Sequence, residues 1–403
     1  MTAPDEPTIS PPELFFDVVF GLALTQLTGV LVSLPTWKGL TQLLVMISLI
    51  WWMYDGYAWL TNEVSASRGP RQAVLLTGMG AFLLLSLSVP GAFHGGGGEF
   101  GLAYLLVVAL HILLFSRASS STIVHAIFRI APSNVAAALL VVAGGFAGGT
   151  AQYVMWVSAI LVAWGVPFFV DDSGFEVEPI HFVERHRVLV LVAIGESLVV
   201  AGYGASRHAL TPALTACSIS VFVVSGGLWW AYFGRDDGSV DRAVAATPAS
   251  RRPRRVLVAF GIWHLVLLAG VVIEASGLRR AVEAPSAPLA TGPAIALAAG
   301  VSVYLVGETL FRMSLGLKLS WPRLAGAALA FGTIPLGVTI SATAQTAVVA
   351  GSLIAAFTAE AIIDKGSTPL APGPPRWGGD AGRAARNPCS LPVLVAWDLH
   401  RCP

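Results

Sequence analysis

The stretch that decides the fold is His181–Val200, HFVERHRVLVLVAIGESLVV. It opens with His181, Glu184, Arg185 and His186, continues apolar for the length of a membrane crossing, and carries Glu196 in its middle. A run of about 20 apolar residues reads as a membrane-spanning helix, because in hydrocarbon every backbone polar group must bond within its own helix. Counted from Arg187, Glu196 lies roughly 13–14 Å along such a helix, near the centre of a ~30 Å hydrocarbon core. An ionised carboxylate there costs at least about 2.5–3.5 kcal/mol, so Glu196 must be protonated, paired or facing water. Its neighbours Gly195 and Ser197 permit close helix packing and favour an inward orientation.

The same pattern fills most of the chain. Of 403 residues, 55% are hydrophobic and 12% charged, whereas soluble domains carry about 25% charge. The shortage of charge is spread along the length, which excludes a soluble domain on a single anchor. Cys217, Cys389 and Cys402 offer neither a disulfide framework nor a zinc spacing. The opening MTAPDEPTISPPE lacks a basic n-region, so the first apolar run is expected to remain as a spanning helix.

Twelve spans are expected, near 14–33, 39–61, 72–92, 100–117, 133–149, 151–170, 187–205, 211–234, 255–275, 291–314, 322–340 and 342–363. The weakest break is Gly148–Gln152; without it there would be eleven. With a cytoplasmic N-terminus, the inner loops before the tail hold Arg68, Arg71, Arg117, Arg129, Arg185, Arg187, Arg235, Arg242, Arg251, Arg252, Arg254, Arg255, Arg312, Lys318 and Arg323. The opposite face holds only Lys38, Arg207, Arg279 and Arg280. That asymmetry follows the positive-inside rule and puts both termini in the cytoplasm. Residues 1–13 form an N-terminal segment, 14–170 a first six-helix half, 171–186 a linker with the HFVER motif, and 187–363 a second half. The Gly-, Pro- and Arg-rich 364–403 reads as a disordered cytoplasmic tail.

Self-comparison points to duplication. ELFFDVVF at Glu13 and ERHRVLVL at Glu184 each open a span with a carboxylate. WWMYDG at Trp51 matches WWAYFG at Trp229, and RQAVLLTGMGAFLLL at Arg71 matches RRVLVAFGIWHLVLL at Arg254. AYLLVVALHILLFSR and SVYLVGETLFRMSLG follow in the fourth spans. An even number of spans per half makes such repeats parallel, related by an axis along the membrane normal.

ELFFDVVF, HFVERH leading into GES, and the late ETLFR together resemble the bacterial low-temperature-requirement A family, over about Pro12–Ile363. The resemblance implies a multi-pass bacterial inner-membrane protein linked by name to growth in the cold. It supplies no reaction, substrate or catalytic residue. The chain departs from the family pattern at Arg187, where a small residue is usual, and at Gly21, where a bulkier one is.

Several ionisable residues share the expected membrane depth of Glu196. His111 and His264 are central in spans four and nine, and Glu308 lies somewhat toward the cytoplasm in span ten. A His–Glu chain could relay protons, although a lone buried His is more often satisfied by a backbone carbonyl. Glu308 and Arg312 stand at i,i+4, suited to a structural ion pair. Near the cytoplasmic ends, Glu13, Asp17, Asp55, His181, Glu184 and His186 would form an acidic vestibule or ordinary interfacial charge. Asp17, inside the apolar FFDVVF, is its strongest member and Glu184 the next. His181 and His186 are five apart, about 140° around a helix, which argues against a zinc site. Trp51, Trp52, Tyr54, Trp229, Trp230 and Tyr232 read as an interfacial aromatic belt, or as the lining of a substrate cleft.

The expectation is an all-α polytopic membrane protein with about 12 transmembrane helices in two parallel six-helix repeats. Its function reads as a proton-coupled secondary transporter or permease of unspecified substrate. A non-transporting protein for cold or envelope adaptation, acting through lipids or protein partners, stays open. So does an intramembrane enzyme, which would need the carboxylates and histidines to converge. The expected partners are the lipid bilayer and a small molecule or proton. There is no Walker loop and no G-x-S-x-G, and no cofactor, metal or nucleic acid is expected.

Overall fold

The structure, a computed structural model, describes residues 9–63, 70–116, 121–170, 177–234 and 238–367. The helices are α1 Pro11–Ser33, α2 Trp37–Glu63, α3 Pro70–Ser88, α4 Gly97–Phe115, α5 Ser121–Ala147, α6 Gly149–Gly165, α7 Pro179–Ala205 and α8 Pro212–Phe233. They continue as α9 Ser239–Ala245, α10 Arg252–Val256, α11 His264–Glu283, α12 Thr291–Ser314, α13 Trp321–Phe331, α14 Ile334–Thr339 and α15 Ala342–Ser367. A π-helical segment, Leu257–Trp263, joins α10 to α11. No strand occurs among the described residues.

Local chemistry sets the helix starts. Ser10 and Glu13 form a reciprocal capping box on α1, the side chain of Glu178 accepts from His181 N at the head of α7, and Thr211 caps α8. Proline follows each cap, where its missing N–H costs nothing. α7 begins at Pro179, so the HFVER motif forms its first turns rather than a linker.

Ten segments among the described residues are long and apolar enough to cross a membrane. The doubtful break between the fifth and sixth expected spans is real: Gly148 and Gly149 both take positive φ, a sharp turn that only glycine makes without strain. Two expected spans differ from the other ten. The third contains only the shorter apolar helix Leu75–Gly91. The eleventh is not one helix but α13 and α14, interrupted at Gly332–Thr333. Residues 364–367, expected to open the tail, instead finish α15, and the rest of that expected tail lies outside the described residues.

Contacts define two ends of the bundle. At the arginine-rich end, Arg252 donates to Val177 O, Arg254 to Phe168 O and Arg255 to Ser314 O, while Arg187 pairs with Asp241 at 2.7 Å. At the other end Arg280 donates to Val32 O, Gln152 to Ala92 O, and Leu289 N to Gly337 O. Outward faces carry exposed apolar side chains such as Leu161, Phe222, Val199 and Ile354, a surface suited to lipid rather than water.

Helix neighbours recur along the chain. α1 packs on α2 and α3, α2 on α4 and α6, α3 on α4, α4 on α5, and α5 on α6. Later, α7 packs on α8 and α11, α8 on α12 and α15, α11 on α12, α12 on α13, and α13 on α15. α11 and α12 approach so closely that a Cβ on Gly300 would collide with the backbone of Glu274. α1 lies against both α7 and α11.

Candidate functional site

The contact of α1 with α7 is ionic. Glu13 and Asp17 sit one turn apart on α1, and Arg185 of α7 places Nη2 3.1 Å from Asp17 Oδ1 and Nη1 3.4 Å from Glu13 Oε1. Tyr54 of α2 donates its hydroxyl to the same Asp17 oxygen, and His181 Nε2 lies 3.4 Å from Glu13. Arg185 and Asp17 are buried at 1% and 0% exposure. Desolvating both charges is costly, so removing one partner leaves a strongly unfavourable buried charge.

At the adjacent positions, His186 of α7 bridges to Asp55 of α2. Its Nδ1 lies 2.9 Å from Phe182 O, a pure acceptor, so Nδ1 carries hydrogen. Its Nε2 lies 3.2 Å from Asp55 Oδ1, and that bond needs a proton on one side or the other. The pair therefore holds one proton between them. His264 follows at 5.2 Å between ring centroids. The His264 Nδ1 donates to Ala259 O within the π-helical segment, and its Nε2 accepts from Tyr232 OH at 2.9 Å. The same π-helical segment offers Gly261 O to Trp51 Nε1 at 2.7 Å, a use of irregular backbone typical of π-bulges at functional positions.

Nearer the opposite end, Glu196 is half-buried and accepts from Thr25 Oγ1 of α1. Space for it comes from Gly21, where a Cβ would sit 3.1 Å from Glu196 Oε1. Glu274 of α11 is fully buried, and neither of its carboxyl oxygens has a partner among the described residues. Gly204 abuts Arg279, so parallel α7 and α11 set Glu196 and Glu274 within about one turn along the bundle axis.

A second ionic cluster joins α12, α13 and α15. Arg323 is fully buried and pairs with Glu308 through Nη1 and with Glu360 Oε1 through Nε at 3.0 Å. Arg312 adds a longer contact of 3.7 Å to Glu308, and Ser320 donates to Glu360. Among the described residues no group of three or more His, Cys, Asp or Glu could hold a metal ion.

The family model for the bacterial low temperature requirement A protein matches residues 8–358. The chain belongs to this family. An uncharacterized protein of Rhizobium meliloti (strain 1021) is 25% identical over 285 residues, covering 68% of this chain and 69% of that protein. No solved structure matches. The matched span of this low temperature requirement A family member holds the whole α1–α2–α7–α11 seam; Glu360 lies just beyond it.

Within this family member, the expected vestibule divides. Glu13, Asp17, Asp55, His181 and His186 meet as one seam with Tyr54 and His264. Glu184 is half-buried and stands outside the seam's ion pairs; its neighbour Arg185 faces inward instead, because one residue along a helix turns the side chain by about 100°. Glu308 stands apart, held by arginines. His111 is buried and its Nε2 contacts Gly56 O at 3.0 Å. The aromatic residues also divide. Trp51, Trp52 and Tyr54 are core residues, Trp52 donating to Asn134 Oδ1 at 2.9 Å, while Trp229 and Trp230 are 40% and 49% exposed. Sequence reasoning missed Arg185 as the seam's cation, and Arg323, Glu360 and Glu274. The signal available for Glu274 was a lone carboxylate in the apolar LVLLAGVVIEASG.

Proposed function

We propose that this low temperature requirement A family membrane protein is a proton-coupled secondary transporter or permease. Its twelve crossings form two six-helix halves related in parallel, with both termini in the cytoplasm of the bacterial inner membrane. In support of the halves, every neighbour pair within α1–α6 has a counterpart among α7, α8, α11, α12, α13 and α15. The arginine-rich end supports the orientation.

The observation that carries transport is a buried cluster of ionisable groups, where α1 and α2 of one half meet α7 and α11 of the other. It holds the Asp55–His186 pair with its shared proton, the His264–Tyr232 hydrogen bond packed edge to face on it, and the Asp17–Arg185 pair. Buried ionisable groups between helices of different halves change surroundings when those halves rock, which is how proton binding is linked to alternating access. Glu196 and Glu274 extend ionisable groups toward the opposite end. The test is solute uptake into proteoliposomes across an imposed pH gradient. Uptake that responds to the gradient, and loses that response in His186→Gln and Glu196→Gln proteins, supports the reading; a response unchanged in both removes proton coupling.

A lipid-directed, non-transporting role has one observation in its favour. Between α8 and α15 an open groove of about 490 Å³ is walled by Phe222, Gly226, Gly227, Leu353 and Phe357, a chemistry suited to an acyl chain. Tightly co-purifying lipid, with no uptake in any gradient, would favour it.

A further inference from the structure

A cavity of about 90 Å³ lies at the arginine-rich end, between the ends of α2 and α4, the start of α5, the segment after α6, and α10. It is partly open, and its walls are largely apolar, including Trp52, Trp59, Phe115 and Ile130. Four polar residues also line it: Asp55, His111, Asn134 and Arg254. Of the seam's ionisable groups, Asp55 reaches this lining, whereas Asp17, Arg185, His186 and His264 do not.

The two oxygens of Asp55 have different surroundings. Oδ1 is bonded to His186 Nε2 at 3.2 Å. Oδ2 has no hydrogen-bond partner among the described residues, yet it is not sealed in protein, in contrast to Nδ1 of His111 on the same wall. The Asp55 side chain keeps 3% of its surface open, and that of His186 keeps none. A Cβ on Gly261 would sit 3.5 Å from Asp55 Oδ2 and 3.3 Å from Leu257 Cδ1, and Leu257 lines the cavity. With no side chain at Gly261, Oδ2 borders the cavity beside Leu257. Asn134 Oδ1 accepts from Trp52, which leaves the Asn134 amide NH2 as a donor on the lining.

We propose that this cavity is the aqueous port through which the Asp55–His186 pair exchanges its proton with the arginine-rich side, Asp55 Oδ2 being the atom that meets water. The port deepens the transport reading and rests on it for its use. One water needs at least about 10–15 Å³, so the space takes several, with Oδ2, the Asn134 amide and Arg254 as polar partners. A hydronium there gives its proton to Oδ2 and leaves as water. The proton already shared settles on His186 Nε2, so the pair passes from one proton to two, and the reverse step restores it. The charged and titratable groups around the pair are Asp17 of α1, Arg185 of α7, His264 of α11, His111 of α4 and Arg254 of α10. Metal cations are disfavoured, because Arg254 adds positive charge at the lining.

The test uses the full chain in nanodiscs, with Cys389 and Cys402 replaced by serine and the buried, free Cys217 kept as an internal control. The probe is 2-aminoethyl methanethiosulfonate, a water-soluble reagent that modifies thiolates. Asp55→Cys is expected to react at least about tenfold faster than Cys217, and adding Ile130→Trp, which fills the cavity, should remove the difference. Ile130→Cys leaves Asp55 intact and should also outpace Cys217; it decides the matter if Asp55→Cys does not fold. A folded Asp55→Cys protein that reacts no faster than Cys217, or a reaction undiminished by Ile130→Trp, overturns the port. In proteoliposomes, Ile130→Trp should slow gradient-driven uptake, and Asp55→Glu should keep uptake that Asp55→Asn loses. Unchanged uptake in the filled or Asp55→Asn protein overturns the port and leaves transport standing. Absence of gradient-driven uptake in the native chain overturns the transport reading instead, and the thiol reactions alone then decide the port.

Discussion

Arg185 of α7 and Asp17 of α1 form a buried ion pair, Nη2 to Oδ1 at 3.1 Å, with Tyr54 donating to the same carboxylate. The residues are 168 positions apart in sequence, so the pair fastens the first helix to the seventh and fixes their relative rotation.

Removing the cation alone should therefore be severe. Arg185→Leu leaves Asp17 buried without its partner and is expected to destabilise the protein by about 3–5 kcal/mol. Adding Asp17→Asn should recover a substantial part of that loss, since no charge is then stranded. Thermal unfolding of the two purified proteins in one detergent measures it; no recovery in the double variant would show that Arg185 acts by packing alone.

Glu274 predicts the opposite sign. A carboxyl group without a partner among the described residues contributes little to holding α11 in place, so Glu274→Met is expected to be neutral or stabilising by about 1–2 kcal/mol. The same substitution should remove a carboxylic-acid carbonyl band from the infrared spectrum of the native protein. A loss of more than about 2 kcal/mol would reveal a partner for the carboxyl.

Gly21→Val tests the fit between α1 and Glu196. A Cβ at this position already meets Glu196 Oε1 and Val192 Cγ1 at 3.1 Å, so a branched side chain must push α7 outward and break the Thr25 bond. Overpacking of this kind costs about 1–3 kcal/mol. Thr25→Val, which removes the hydroxyl at nearly constant volume, should reproduce any effect on gradient-driven uptake with a smaller loss of stability.

Orientation has its own check. In a chain whose native cysteines are replaced by serine, Cys at Ala246 should react with an impermeant maleimide only from the cytoplasmic side. Cys at Ala287, at the other end of the bundle, should react only from outside. Labelling of both from one side would refute the proposed crossing pattern.

The sequence by itself determined the solvent of this protein and the axial position of its polar groups. Apolar runs of fixed length have one solution in hydrocarbon, and helical rise converts residue number directly into depth. That Asp17 and the start of α7 lie at one level follows from such one-dimensional quantities, whereas the break at Gly148, which they left open, was settled by the backbone turn there. Rotation and partner choice do not follow from them either. That Arg185 rather than Glu184 faces inward, that His264 joins His186 through a π-helical segment, and that Glu308 is held by Arg323 were decided only when the helices packed. Nearly uniform apolar helices give little indication of which face is buried; the buried ion pairs and glycine-mediated crossings that settle it unite residues far apart in the chain.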